Sequence, residues 1–189
     1  MTWSTAIAAF ILLAILAVAI EGWERKSRRN AIAALPNFEP VIIEDAGKMS
    51  IGLAIDPNSQ QFALLPKKQP PKLYAFSDLV AVEVQKNGQS LETTNRGSQI
   101  AGAAVGAVLL GPLGLLVGGL SGSKKKVETI RELSLKLYLT DLKQPVTELV
   151  FFKSSSNHKP TDFVVTEAAK RLDEWYGRLR TIVAANERA

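Results

Sequence analysis

Few side chains in this sequence have the types and spacing that do chemistry. There is no cysteine, which excludes disulfide frameworks, Cys-ligated zinc and thiol catalysis. The single histidine, His158, stands in Ser154-Ser155-Ser156-Asn157-His158-Lys159-Pro160, a stretch that reads as a solvated loop. A metal held there would need carboxylates from elsewhere in the fold. Asp141 and Glu148 flank a turn, but two carboxylates divide acid and base roles only where their surroundings separate their pKa values. Here both read as solvated surface. No Gly-Lys-Ser/Thr phosphate loop, no His-Glu-x-x-His and no Gly-x-Ser-x-Gly occurs. The chain is therefore expected to be no enzyme and to use no cofactor and no metal.

What remains is charge and glycine. The 189 residues carry a net charge of +5, with basic groups in three clusters. Arg25, Lys26, Arg28 and Arg29 follow an apolar run, Lys67, Lys68 and Lys72 stand among prolines, and Lys124, Lys125 and Lys126 follow a glycine-rich run. Such clusters serve solubility and the retention of positive charge on the cytoplasmic side. Beside an apolar helix they also suit an anionic leaflet, worth about 1 kcal/mol per basic residue near the surface. Nucleic acid is not an expected partner, because no recognition fold accompanies the charge.

The elements that position these groups begin with an anchor. Residues 1–20 carry no charged side chain, with Trp3 and Trp23 at the two flanks. About 18 to 20 apolar residues match a hydrocarbon core of roughly 30 Å, and indoles favour its interface. With the basic cluster directly after it, the run predicts a transmembrane helix over 1–23 with its N-terminus outside and the rest of the chain cytoplasmic, at the inner membrane if the protein is bacterial. Ala17-Val18-Ala19 resembles a cleavage site, but the basic residues lie on the wrong flank for a signal peptide. Residues 24–45 read as a juxtamembrane helix and linker, ended by Pro36 and Pro40.

Alternation then takes over. Met49, Ile51, Leu53 and Ile55 share one face, Asp56-Pro57-Asn58-Ser59 turns, and residues 61–65 return. Leu73 to Phe76, Val80 to Gln85, Gln89 to Thr94 after the Asn87-Gly88 turn, Leu133 to Leu139 and Val146 to Phe152 complete about seven strands. They predict an α+β domain, a small antiparallel β-barrel or sandwich. A C-terminal amphipathic helix follows, with Val165, Ala168, Leu172, Trp175, Leu179 and Ile182 on one face. That stripe is expected to close the barrel, the alternative being a coiled-coil seam. Gly177 inside this helix has no evident reason.

This order of elements resembles the pleckstrin-homology-like (PH-like) fold, in particular bacterial PH-like domains on membrane-anchored proteins. The resemblance rests also on Tyr74-Ala75-Phe76-Ser77-Asp78-Leu79 stepping into a strand and on the Thr140-Asp141 strand end. It implies a binding or scaffolding role toward lipid headgroups or peptides.

One long insertion departs from a plain domain of that kind. Residues 100–120 carry no charge, and Gly102, Gly106, Gly114, Gly118 and Gly122 fall on a period of four on either side of Gly111-Pro112. On helices such spacing lets two backbones approach closely, and the run looks like the glycine zippers of bacterial envelope proteins. It reads as a helical hairpin dipping into the membrane, as a single span, or as a soluble hairpin packed on a partner. The hairpin is preferred, since a span would put strands of one sheet on opposite sides of the bilayer. The organisation expected is thus an anchor (1–23), a juxtamembrane stretch (24–45), the first half of a PH-like domain (46–96), a glycine-zipper insertion (97–123) and the second half with the closing helix (124–189). The expected function is a membrane-anchored, non-catalytic binding or scaffolding module that self-associates into a homo-oligomer and recruits a protein or anionic lipid. The alternative is a glycine-zipper oligomer that forms a pore or remodels the membrane.

Overall fold

The computed structural model describes residues 3–44, 51–67, 69–95 and 129–188. A long helix, α1 (Trp3–Ala33), leads into β1 (Ile42–Glu44), β2 (Gly52–Asp56), β3 (Gln61–Leu65) and β4 (Lys72–Ala75). A 3-10 turn over Phe76–Asp78 passes the chain to β5 (Leu79–Lys86), β6 (Gln89–Asn95), β7 (Ile130–Leu139) and β8 (Val146–His158), and α2 (Phe163–Asn186) follows. The strands form two antiparallel sheets, in the orders β1-β2-β3-β4 and β6-β5-β7-β8. The α+β class agrees with the sequence. A closed barrel does not form, because among the described residues no ladder joins one sheet to the other and they meet through side chains.

Period-two alternation sends Leu53, Ile55, Phe62 and Leu64 from the first sheet into the core, and Val82, Val84, Leu135 and Leu137 from the second. The six stripe residues of α2 are all buried, with Ala169, Tyr176 and Val183 beside them, so the helix packs on its own domain and offers no coiled-coil seam. Gly177 lies on its outer side, where a Cβ would meet nothing within 4 Å. No packing within the domain offsets the roughly 1 kcal/mol it costs the helix.

Three stretches differ from the sequence expectation. The supposed linker contains β1, and β5 begins at Leu79, one residue before the strand start expected at Val80. His158 ends β8 instead of standing in a loop. Helix α1 continues without a break past Trp23 to Ala33. Among the described residues no helix is long and apolar enough to cross a membrane, so the span expected over 1–23 is not an element that the structure establishes. The five zipper glycines, Lys124 to Lys126, Lys68 and the strand start at Met49 lie outside the described residues.

The connection around the insertion obeys a topological constraint. Strands β6 and β7 are both antiparallel to β5, and so are parallel to each other with β5 between them. The chain leaves β6 at Asn95, level with Ala81, and enters β7 three residues before Leu133, which is level with Lys86. These points lie at opposite ends of the sheet, separated by about eight strand residues, or roughly 26 Å. Parallel neighbours require such a crossover. The insertion therefore does not return to the place it left.

The far end is fastened by the β5–β6 turn. Asn87 and Gly88 both have positive φ, 52° and 75°, the geometry of a two-residue hairpin turn. Asn87 Oδ1 accepts the amides of Arg131 (2.7 Å) and Glu132 (3.1 Å), and its Nδ2 donates to the Thr129 carbonyl (2.8 Å). One side chain thus aligns the first residues of β7. Replacing Asn87 by Gly keeps the turn's φ accessible and removes only this clamp. The expected result is a loss of about 1–2 kcal/mol in urea unfolding, with Asn87→Ala losing more because it also strains φ.

Candidate functional site

The candidate site is the junction where α1 enters the domain. Pro36 disfavours helical geometry at Leu35, and the last turn tightens, with Leu35 N donating to the Ile32 carbonyl at 3.0 Å. Asn37 takes a left-handed φ of 53°, which Asn tolerates better than most residues. The chain is thereby turned so that Phe38 points back at the first sheet.

That sheet presents an apolar row on its outer face. Ile43, Ala54, Ala63 and Leu73 are register partners across the four strands. Ala54 and Ala63 are fully buried, and with Leu65 they cluster with Ile32 and Phe38, while Leu35 and Leu73 pack at the margin. The two alanines form a shallow floor into which the end of α1 fits. Gly52 belongs to the same face, and a Cβ there would come within 3.0 Å of the Glu44 carbonyl. Both faces of β2 and β3 are therefore covered, one by the core and one by the segment that reads as a linker.

Asp56 locks the junction. Its Oδ2 accepts the Glu39 amide (2.9 Å) and the Ser59 hydroxyl (2.8 Å), and its Oδ1 accepts the Asn58 amide (2.9 Å). The Glu39 amide, more than any other donor, holds this carboxyl below its usual value of 3.8. At β1, Glu44 accepts Trp175 Nε1 at 2.8 Å and Arg171 Nη1 at 3.2 Å, tying the same edge to α2.

Of the expected basic groups, Arg25, Lys26, Arg28 and Arg29 lie on α1 within two turns of Ile32, with Lys26 and Arg29 exposed. Lys67 is exposed after β3. Lys72 is engaged by the domain, its Nζ 2.6 Å from Gln144 Oε1.

Several other polar groups join elements of the domain. Asp141 accepts the Tyr74 hydroxyl at 3.0 Å, joining the two sheets, and the Lys143 amide at 2.8 Å. Burial first, then this carboxylate, pushes Tyr74 up to about 12. Glu148 accepts Ser134 Oγ at 2.6 Å, and Glu83 accepts Gln85 and Tyr138, which hold it ionised below its usual range. Ser154 Oγ, His158 and Asp162 stand in a row, at 3.0 Å and 3.2 Å from the imidazole nitrogens. Ser154 Oγ also accepts the Ser156 amide, and the same Asp162 oxygen also accepts the Lys159 amide. The row staples the end of β8 to the start of α2. Among the described residues no group of three acids or histidines could hold a metal.

Sequence reading missed the docking role of Phe38 and Asp56. Pro36 to Pro40 signals a break, and Asp56-Pro57-Asn58-Ser59 signals an Asx turn, but neither signal says that turn and break meet.

Two facing sheets closed by one C-terminal helix, with a long insertion between β6 and β7, define a PH-like domain. The model of the family described as "Glycine zipper containing PH domain" matches residues 41–153, more than half of the sequence, and the chain belongs to that family. Among curated proteins, an SPbeta prophage-derived membrane protein of Bacillus subtilis (strain 168), YomJ, is 21% identical over 192 residues, covering 92% of this chain and 83% of its own. A protein of Bacillus phage SPbeta named "Immunity protein" is likewise 21% identical over 192 residues, covering 92% and 94%. No solved structure matches.

Two outcomes test the junction. Ala63→Leu overfills the floor and is expected to cost about 1–3 kcal/mol, with the chain near Phe38 becoming open to limited proteolysis. Because the folded-state pKa of Asp56 is depressed, its stabilisation is present above 3.8 and is lost as pH falls through the lowered value. Asp56→Asn should therefore flatten the acid limb of stability against pH, as followed by urea unfolding between about pH 2 and 6.

Proposed function

We propose that this protein is a membrane-tethered, non-catalytic binding module that self-associates through its glycine-rich segment. The observation that carries the reading is the docking of α1 on the first sheet, which makes an apolar helix and a binding domain one body. Ile7, Phe10, Leu12, Leu13, Ile15, Leu16 and Val18 are all more than half exposed. At 100° per residue they lie all round the helix. Such a surface needs lipid or other helices around it, and with the uncharged run of residues 1–20 it supports an anchor. Arg25, Lys26, Arg28 and Arg29 then put the domain on the cytoplasmic side.

Gly102, Gly106, Gly114, Gly118 and Gly122 supply close helix–helix contact in an apolar setting. The relative named a membrane protein supports the location.

The absence of native cysteines makes the topology directly readable. Single cysteines at Ser27, Ser123 and Ser155 are expected to be protected from an impermeant thiol reagent in intact cells, and one at Thr2 to react. Labelling of positions 27 and 155 from opposite sides of the membrane would end the tethered-module reading.

The same glycine spacing favours a second reading, a pore. Combined replacement of Gly106, Gly114 and Gly118 by Leu should abolish oligomers under both. Only a pore predicts that dye leakage from loaded liposomes is present before the replacement and vanishes with it.

A further inference from the structure

The outer face of the first sheet is only partly covered. Its apolar row runs Ile43, Ala54, Ala63, Leu73 across the four strands. The end of α1 lies over the two alanines, burying Ile32 and Phe38 against them. At the β1 end the cover stops. Ile43 is 49% exposed, and Val41, two residues before it, 69%. Alternation puts both on the outer face, since Ile42 between them packs against the core.

The pair is held on fixed backbone. Val41 N donates to the Ile55 carbonyl at 3.0 Å, which continues the β1–β2 pairing one residue upstream. At the other end of β1, Glu44 accepts Trp175 Nε1 at 2.8 Å and Arg171 Nη1 at 3.2 Å. Exposed apolar residues scattered singly need no explanation. These two are adjacent on one face and continuous with the cluster beneath α1.

Helix α1 sets the height of this patch. It runs unbroken from Trp3 to Ala33, and residues 1–20 carry no charge. At 1.5 Å per residue the docked Ile32 stands about 18 Å beyond Ile20 along the helix. That is outside a headgroup layer of roughly 5–8 Å. Ile43 adjoins Ala54, which clusters with Ile32, so the patch stands near that height and lipid does not cover it. A second copy anchored in the same sense carries the same patch at the same height, beside the same helix.

We infer that Val41 and Ile43 form a contact between two copies of this chain, paired about a two-fold axis along the membrane normal. The inference rests on the tethered reading, which makes the copies parallel, and it adds a contact outside the bilayer to their self-association. In a two-fold pair the same patch meets itself. Side chains make the contact, so it asks nothing of the β1 edge. Two side chains fall far short of the roughly 800 Å² per partner of a free-standing interface. The contact therefore orients copies that their membrane segments already hold together, where a high effective concentration makes weak contacts count.

The test is disulfide formation in the full chain, which has no native cysteine. Val41→Cys, Leu142→Cys and Phe163→Cys each replace an exposed apolar side chain in a different part of the domain. In membranes under mild oxidant, Val41→Cys is expected to form a disulfide-linked dimer roughly fivefold faster than either of the others. Adding Ile43→Glu sets two carboxylates against each other across the axis and should slow that dimer roughly fivefold. The comparison of three positions decides independently of this second variant.

Equal rates at the three positions, or no dimer through position 41 while the chain runs as an oligomer in detergent, overturn the inference and leave glycine-mediated self-association standing. Cross-linking of position 41 to a different protein in place of the dimer overturns it as well. Recovery of the chain in the soluble fraction counts against the anchor alone. A dimer specific to position 41 there still supports the contact.

Discussion

The first sheet cannot exist as one face on a core and one face in water. Its four strands are three to five residues long, and its outer row, Ile43-Ala54-Ala63-Leu73, has no polar member. An antiparallel sheet with a solvated face normally alternates apolar with polar residues. Here the alternation is of large with small. Leu53, Ile55, Phe62 and Leu64 fill the core, and the alanines opposite leave room for Ile32 and Phe38. The end of α1 is therefore a layer of the domain. Whatever α1 is embedded in, the sheet goes with it, and the Glu39–Asp56 and Glu44–Trp175 contacts fix the angle at which it does so.

The second sheet imposes a different constraint. With β6 and β7 parallel on either side of β5, the insertion must bridge opposite ends of a filled sheet. This limits how the protein can assemble. A strand edge is the commonest surface for one chain to pair with another, and proteins blunt it with short strands, charges, prolines or bulges. Here β1 is three residues long and tied to α2. β4 follows Pro70 and Pro71 and is bound across the second sheet by Tyr74–Asp141. β8 carries Lys153 and two register shifts, and β6 has an extra residue at Leu91, where its pairing with β5 slips. Edge pairing is thus disfavoured at all four sheet edges of the described residues.

Much of this is legible in the sequence. Alternation located seven of the eight strands, Asn87-Gly88 fixed a hairpin, and the 3-4 spacing of Val165 to Ile182 marked the buried face of α2. These signals are local, because period and turn chemistry act over a few residues. What failed to show was non-local. Ala54 and Asp56 read as the solvent side of a strand because a small or acidic residue alternating with leucine normally is one, and nothing nearby announces Phe38 as their cover. Residues 42–44 read as linker because three residues carry no period. His158 looked like a loop residue because Ser-Ser-Ser-Asn is loop-like, whereas the strand tolerates it by shifting register. The expected anchor and zipper are the converse case, read from the composition and spacing of the sequence and outside what the described residues establish.

The polar groups give the strongest argument about mechanism. A catalytic acid or base needs at least one lone pair or proton directed at open space, with a pKa displaced toward the working pH. Asp56, Glu83 and Asp141 are each drawn below the ordinary carboxylate range by donors from their own domain, which is the opposite displacement. His158 bridges Ser154 and Asp162, and Ser154 Oγ also accepts the Ser156 amide. Their shared arrangement is to join one element to another: sheet to sheet at Tyr74–Asp141, strand to helix at His158–Asp162, and α1 to strand at Glu39–Asp56. Polar side chains spent in this way make a rigid platform. Among the exposed cations around it are Lys26, Arg29, Lys67 and Lys159, groups of a kind that attract anionic surfaces over a distance.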